Sequence, residues 1–587
     1  MRRVKRLFLT PARCVLLFAG ALLWITGCKP AEYAQQADTV AYRTMEAGRE
    51  AALGTTGGFT ASYKPYAGGA GGTIRVGDRQ IPVAASPASQ PASQPASQPA
   101  GYVLTLSDAL DIAFHNSRSF QTRKEELYLQ GLALANAARA WNWTLWEADV
   151  DAAASHIRTN GVGETNAGSA SIGPALTQRF RNGGVLTLGA GLDWASNFLG
   201  ANTSDSLLQA QLSQPLIRGA WHDFAYEAQY RLERDFLFAV FEYERFTQTF
   251  AADVVSRYYG VLQIRDRVEN ERANITRLQQ AFRYTRLLVE GGQASLIEQD
   301  QAEQDLLQAQ VRLEQEQQAY QDALDRFKVS TLSLPVGAEV EPDYPGALEA
   351  LQAKGPAPLT WREGELDEGD AVAIAMSVRP DVLTSGAAVR DASRDVDIAA
   401  DAFNPQLDLT LGTSAPGTAP NDFWATQFNR HQRTAGMIFN YPINQTDNRD
   451  AYRKALMLLD RARRNYDEFL DQVRLDVRAS YRALAQNRRS YELQLRNVQI
   501  AQRRSKLAAL QQQEGLASAR DVLEAQEALR NAQNGLTTAL ISYTTTRLNF
   551  LATLGMLDTD ADGRITERTE PFSFDRIVRR YPYVKPH

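Results

Sequence analysis

Cysteine is almost missing from this chain: Cys14 and Cys28 are the two in 587 residues. Cys14 falls in a segment expected to be removed, so no disulfide can form within the mature chain. Histidine is nearly as scarce, and the five at positions 115, 156, 222, 431 and 587 show no metal-ligand spacing. No nucleophile stands in pattern with a base, so the chain is read as a non-enzyme without metal or cofactor. No run approaches 18 continuous apolar residues, which excludes a membrane-spanning helix. Basic charge is not in excess either, with 63 Lys and Arg against 68 Asp and Glu. Removal of the five basic residues of the N-terminal segment leaves 58 against 68, a net charge of about −10 that argues against nucleic-acid binding.

That N-terminal segment has the order of an export signal. Arg2, Arg3, Lys5, Arg6 and Arg13 precede a twelve-residue apolar run from Cys14 to Ile25, too short for the about 20 residues that cross a bilayer. Ile25-Thr26-Gly27-Cys28 resembles the lipobox of bacterial lipoproteins. The resemblance implies cleavage after residue 27 and acylation of Cys28, with several acyl chains giving stable anchoring. It also implies outer-membrane sorting, because Lys29 stands where an aspartate commonly retains a lipoprotein at the inner membrane. Residues 28–101, ending in "PASQPASQPASQPA", are rich in Ala, Gly, Ser, Pro and Gln. They are expected to form a disordered tether.

The body repeats itself. "DVVSRYYGVL" from Asp253 matches "DVRASYRALA" from Asp476, and "GGQASLIEQDQAEQDLLQAQ" from Gly291 matches "EGLASARDVLEAQEALRNAQ" from Glu514, both at an offset of 223. One shared offset argues for an internal duplication. Each copy holds a proline-free run, about His222 to Glu290 and about Asp447 to Glu514. At 1.5 Å per residue these predict rods of about 100 Å, far longer than a compact domain contains. Gly292 and Gly515 fit the turns that end them, and return helices of about 40 residues reach Leu332 and Leu557.

Between the helices the period changes to two. "VLTLGAGLDW" places Leu186, Leu188, Ala190, Leu192 and Trp194 on one face, and "NPQLDLTLG" does so with Leu407, Leu409 and Leu411. Similar alternation runs through 146–154, 208–212 and 435–441. An apolar face against a small polar one is the pattern of an outer-membrane barrel strand.

Strand groups followed by long helical hairpins, duplicated on an exported chain, resemble the TolC-like outer-membrane factors of efflux pumps and type I secretion systems. The resemblance covers about Leu104 to Leu557 and rests on "LTLSDALDIAFHN", "LSQPLIRG" and "EGLASARDVLEAQEAL". It departs from the family at "FNYPINQTDN", which lacks the usual glycine turn. It departs again in the 71 residues between Trp143 and Pro215, enough for four strands where the family usually has two. The implied fold is an α+β membrane protein: a β-barrel shared between chains, continued by a periplasmic tunnel of helices. The expected division is signal 1–27, tether 28–101, first repeat 102–333, linker 334–365, second repeat 366–557 and tail 558–587. Implied partners are two further copies in a homotrimer, a periplasmic adaptor protein, an inner-membrane transporter and outer-membrane lipid. A non-conducting coiled-coil scaffold is the alternative, and alternating strands are what such a strut would not need.

The resemblance places function at the helix tips. It makes Glu298, Asp521 and Glu524 the candidate periplasmic gate, and Gly292, Ser295, Gly515 and Ser518 the tip and adaptor-docking residues. Acids early in a helix also simply oppose its dipole. Pro215 and Pro442 mark the strand-to-helix junctions. "DTDADGRITE" from Asp558 matches several positions of a calcium loop, but Thr569 stands where a bidentate Glu is needed. No metal is assigned there.

Overall fold

A computed structural model describes residues 30–53, 73–76, 79–82, 102–159, 163–197, 201–220, 222–355, 360–361, 364–416, 431–514, 516–559 and 565–567. Helix α1 spans Pro30–Leu53, α2 Leu106–Asn116 and α3 Arg118–Arg139. Four strands follow: β1 Thr144–Thr159, β2 Gly163–Arg179, β3 Val185–Asn197 and β4 Ala201–Pro215. The first rod, α4 (Glu227–Glu290), returns as α5 (Leu296–Arg326) and a π-helical turn at Phe327–Thr331. The second repeat runs α6 Glu368–Val378, α7 Pro380–Asp401, β5 Gln406–Pro416, β6 Gln432–Asn440, α8 Thr446–Gln513 and α9 Ala519–Leu554.

The six strands form one antiparallel sheet in the order β6-β5-β4-β3-β2-β1. The first repeat therefore supplies four strands and the second two, as the spacing before Pro215 suggested. Register sets Leu186 opposite Leu212, Leu212 opposite Leu411 and Leu411 opposite Ala435, so one apolar row crosses four strands. Leu407 faces Phe439 and Leu409 faces Met437 in the same way, and Met437 and Phe439 are more than two-thirds exposed. Among the described residues the sheet does not close: β1 pairs with β2 alone and β6 with β5 alone.

Below the sheet the long helices lie side by side in the order α5, α4, α9, α8. Ala302 and Ala309 of α5 pack on Ile275 and Leu278 of α4, and Val498 and Ala501 of α8 pack on Leu529 and Ala532 of α9. Small residues at these spacings let the rods approach closely. The larger core lies midway along the rods, where Phe114 and Phe120 meet Tyr258, Leu262 and Leu540.

Two expectations change. The tether is not structureless from residue 28, because α1 buries Ala41 and Met45 against α3 and α4. Gly48 lies so close to Phe236 that an added Cβ would fall 2.2 Å from its ring, and Tyr128 donates to Asp38 at 2.7 Å. Composition averaged over 28–101 hid this helix, since proline and serine of the later repeat diluted a stretch with apolar residues at four-residue spacing. The "PASQ" repeat itself lies outside the described residues. The segment 334–365, expected as a linker, contributes a strand, Val340–Pro342, that pairs in parallel with Tyr102–Leu104. Its short helix Gly346–Lys354 buries Leu348 and Leu351. Here apolar residues too few to show a period are placed by a partner more than 200 residues away.

Candidate functional site

The two hairpin tips share the backbone bonds that end their rods. In the first, Gly291 N–H donates to Leu287 O at 3.0 Å and Gln293 N–H to Leu288 O at 2.8 Å. In the second, Glu514 donates to Leu510 O at 3.2 Å and Leu516 to Gln511 O at 2.8 Å, each 223 residues on. Gly292 has φ +72, the left-handed conformation that closes such an end without a Cβ penalty. Gly515, its counterpart, lies outside the described residues.

The return helices start on hydroxyl caps. Ser295 accepts from the Glu298 N–H at 3.3 Å, and Ser518 accepts from the Asp521 N–H at 3.3 Å. Asp521 completes a capping box, its carboxylate accepting from the Ser518 N–H at 2.9 Å. Those bonds from Ser518 hold the Asp521 carboxyl below its ordinary value. Glu524 sits one turn on, paired with Arg520 at 3.1 Å. Of the three acids, Asp521 is thus engaged in holding its helix start, Glu524 is paired with a neighbour, and Glu298 makes no comparable side-chain bond among the described residues. Leu296, Ile297 and Leu516 are all more than two-thirds exposed around them.

At the opposite end, Pro215 is the last residue of β4, and Leu216 N–H donates to Leu407 O at 2.8 Å. Gly183, φ +88, turns β2 into β3 beneath it; a Cβ there would lie 2.9 Å from the Pro215 ring and 3.0 Å from Gly219 O. Pro442 lies just past β6 and its carbonyl accepts from Gln445 at 3.0 Å. Just below the sheet Arg234, 1% exposed, bonds Glu227 at 2.9 Å and Asp391 at 2.8 Å, tying α4 to α7.

A second set of polar residues, which local sequence pattern did not reveal, joins the two hairpins. Asp266 of α4 accepts from Thr537 of α9 at 2.7 Å and from Tyr344 at 3.1 Å. Burial and the Asp266 charge both push the Tyr344 phenol up. Glu271, 3% exposed, receives Arg312 of α5 at 3.3 Å and Arg530 of α9 at 3.2 Å. Among the described residues no group of His, Cys, Asp and Glu is arranged to hold a metal. Of the loop from Asp558, residues 560–564 lie outside the described residues; its flanks pair as strands Leu557–Thr559 and Ile565–Glu567.

Residues 372–556, almost all of the second repeat, match the family profile described as outer membrane efflux protein. No curated sequence matches the chain. Solved structures do match its fold. The Campylobacter jejuni CmeC outer membrane channel is 17% identical, with 82% of this chain and 89% of that one covered at a TM-score of 0.53. The Vibrio cholerae outer membrane protein VceC is 15% identical over 79% and 97%, at 0.54. The open state of the Neisseria gonorrhoeae MtrE outer membrane channel is 13% identical over 77% and 88%, at 0.56. The resemblance read from the sequence is borne out: the second repeat matches the outer membrane efflux protein family, and the chain as described carries the fold of the TolC-like outer-membrane channels.

Proposed function

We propose that this protein is the outer-membrane duct of a tripartite efflux or type I secretion system. The observation that carries the reading is the continuity of an open six-stranded sheet with rods of about 100 Å, a shape suited to carrying a passage from one membrane across an aqueous compartment. Six strands cannot close in lipid, where an open edge leaves backbone groups unpaired and about eight strands are the least that close. Because β1 and β6 run in opposite directions, the edge of one copy can pair antiparallel with that of the next. Three copies give eighteen strands, in the range that leaves an aqueous channel.

In this reading Cys28 carries the lipid anchor, an adaptor docks on the hairpins near Gly292, Ser295, Gly515 and Ser518, and Glu298, Asp521 and Glu524 ring the closed end. The duct is passive, with an inner-membrane transporter supplying the energy. Conductance in planar bilayers tests the reading. Stepwise, reproducible channels are the expected result; a folded oligomer that inserts without conducting would favour a scaffold instead.

A further inference from the structure

The inner rods α4 and α9 each have a long-rod neighbour on both sides, whereas on the flanks α8 packs chiefly on α9 and α5 chiefly on α4, with a lesser contact to α9 near the tip through Leu523. Both flanking rods nevertheless carry two seams. On α8 the seam Tyr491, Val498 and Ala501 is buried on the α9 side. Two residues out of phase, and so about 160° around the helix, runs Arg489, Leu493, Arg496, Ile500, Arg503 and Leu507, at alternating spacings of four and three. All six are exposed, the three apolar ones by 67%, 56% and 55%. On α5 the buried Ala302 and Ala309 are matched, on the far side, by Asp300, Gln304, Leu307, Val311, Glu314 and Gln318 at the same spacings, all exposed. Sustained heptad spacing on a solvent-facing stripe is the mark of a helix waiting for a second partner.

The two stripes are opposite in charge. Helix α5 has eight acidic residues against two arginines. From Arg478 to Gln513, α8 has eight basic residues and one acid, Glu492. Among the described residues no ion pair involves Arg489, Arg496 or Arg503, nor Asp300, Glu303 or Glu314. Heights match as well. Counted from the tips at 1.5 Å per residue, Glu314 and Arg496 lie at about 28 and about 26 Å, Val311 and Ile500 at about 24 and about 20 Å, and Glu303 and Arg503 at about 12 and about 15 Å.

The geometry points to a charge-coded joint between copies: the α5 flank of one chain docks antiparallel on the α8 flank of the next. Leu307 and Val311 fill the seam against Leu493, Ile500 and Leu507, while arginines of one copy meet carboxylates of the other. The occupant is a second copy because charge, apolar position and height agree between two faces of this same chain. Such a head-to-tail joint closes a ring instead of a two-fold dimer. The inference rests on the ring-forming duct reading and adds which faces meet and what selects them.

Two measurements test it. In a chain carrying Val311→Cys together with Ile500→Cys, the new thiols lie on opposite flanks, so a disulfide between them must join two chains. Oxidation should give a ladder of cross-linked dimer and trimer, absent from either single variant. Separately, Arg496→Glu and Arg503→Glu in one chain should lower the trimer fraction about tenfold at low salt, as the two height-matched pairs with Glu314 and Glu303 become repulsive. Adding Glu303→Arg and Glu314→Arg to that chain should restore it. Circular dichroism should show the same helix content throughout, since every site is exposed. Native mass spectrometry separates the outcomes: a trimer that neither cross-links nor responds to charge reversal overturns this joint and leaves the duct standing, whereas a wild-type monomer overturns both.

Discussion

Arg530 of the second hairpin reaches Glu271 of the first across 259 residues of sequence, at 3.2 Å, with both side chains largely buried. Arg312 approaches the same carboxylate from α5, so one acid holds three rods. Removing it leaves the largely buried Arg530 beside a second guanidinium group, that of the partly exposed Arg312. Glu271→Ala should therefore cost about 3–5 kcal/mol, the usual penalty for breaking a buried pair from one side. Replacing Glu271 and Arg530 together by apolar residues should cost less than Glu271→Ala alone. Thermal unfolding of the solubilised protein gives both numbers, and additive losses would show that the pair is not coupled.

Acid sensitivity should concentrate at Asp381. Burial pushes its carboxyl up, but the hydrogen bonds from Arg379 and the charge of Arg245 outweigh burial and hold it below the ordinary carboxylate value. A depressed folded value means the contribution is complete above the unfolded value, about 4, and is lost as pH falls through the lower folded one. Asp381→Asn should remove that part of the acid limb and lower stability by about 2 kcal/mol at neutral pH. Melting curves between pH 2 and 7 would check it; an unchanged acid limb would refute the assignment.

At the tips the three acids should separate by role. Glu298→Ala and Glu524→Ala leave the helix starts intact, whereas Asp521→Ala removes half of a capping box. Hydrogen exchange in the first turn of α9 should quicken for Asp521→Ala and stay put for Glu524→Ala. Replacing all three should lower cation preference in bilayer recordings, because rings of carboxylates hold the local field negative. Unchanged selectivity and unchanged block by multivalent cations would reduce them to helix-start residues.

Cys28→Ser should abolish palmitate labelling while channels still assemble, since in the proposed barrel the strands would make most of the membrane contact. Helix α1 should remain docked in this variant, held by Ala41 and Met45. Met45→Asp tests that separately: a charge at a fully buried position should release α1 to proteolysis, with labelling at Cys28 retained.

Much of this architecture is legible in the residues. Absence of proline from about 222–290 and 447–514 foretold α4 and α8 to within a few residues, and the 223 offset foretold tips that share the backbone bonds ending their rods. Strands showed through alternation, while the length before Pro215 allowed four strands in the first repeat without deciding between four and two. What stayed hidden is what local windows do not contain. Glu271 reads as one more acid on a helix until Arg530 is brought to it, and Ala41 as tether composition until Phe236 and Tyr128 cover α1. The outward seam of α8 was present as arginines seven apart, but two seams on one helix look like no seam until burial separates their phases.

The unequal division of strands, four in the first repeat and two in the second, bears on how wide the passage can be. In the proposed trimer, twelve rods standing side by side at about 9–10 Å would make a perimeter of about 110 Å. Strands spaced about 4.8 Å apart and tilted about 40° each take about 6 Å of circumference, so eighteen span about 110 Å and twelve only about 75 Å. With the additional hairpin the membrane segment and the helical segment of the proposed trimer would have equal girth, and no taper would be required where Pro215 and Pro442 hand one to the other. In the proposed trimer the bore would then stay uniform from the cell surface downward, and whatever limits the size of cargo would lie at the far end.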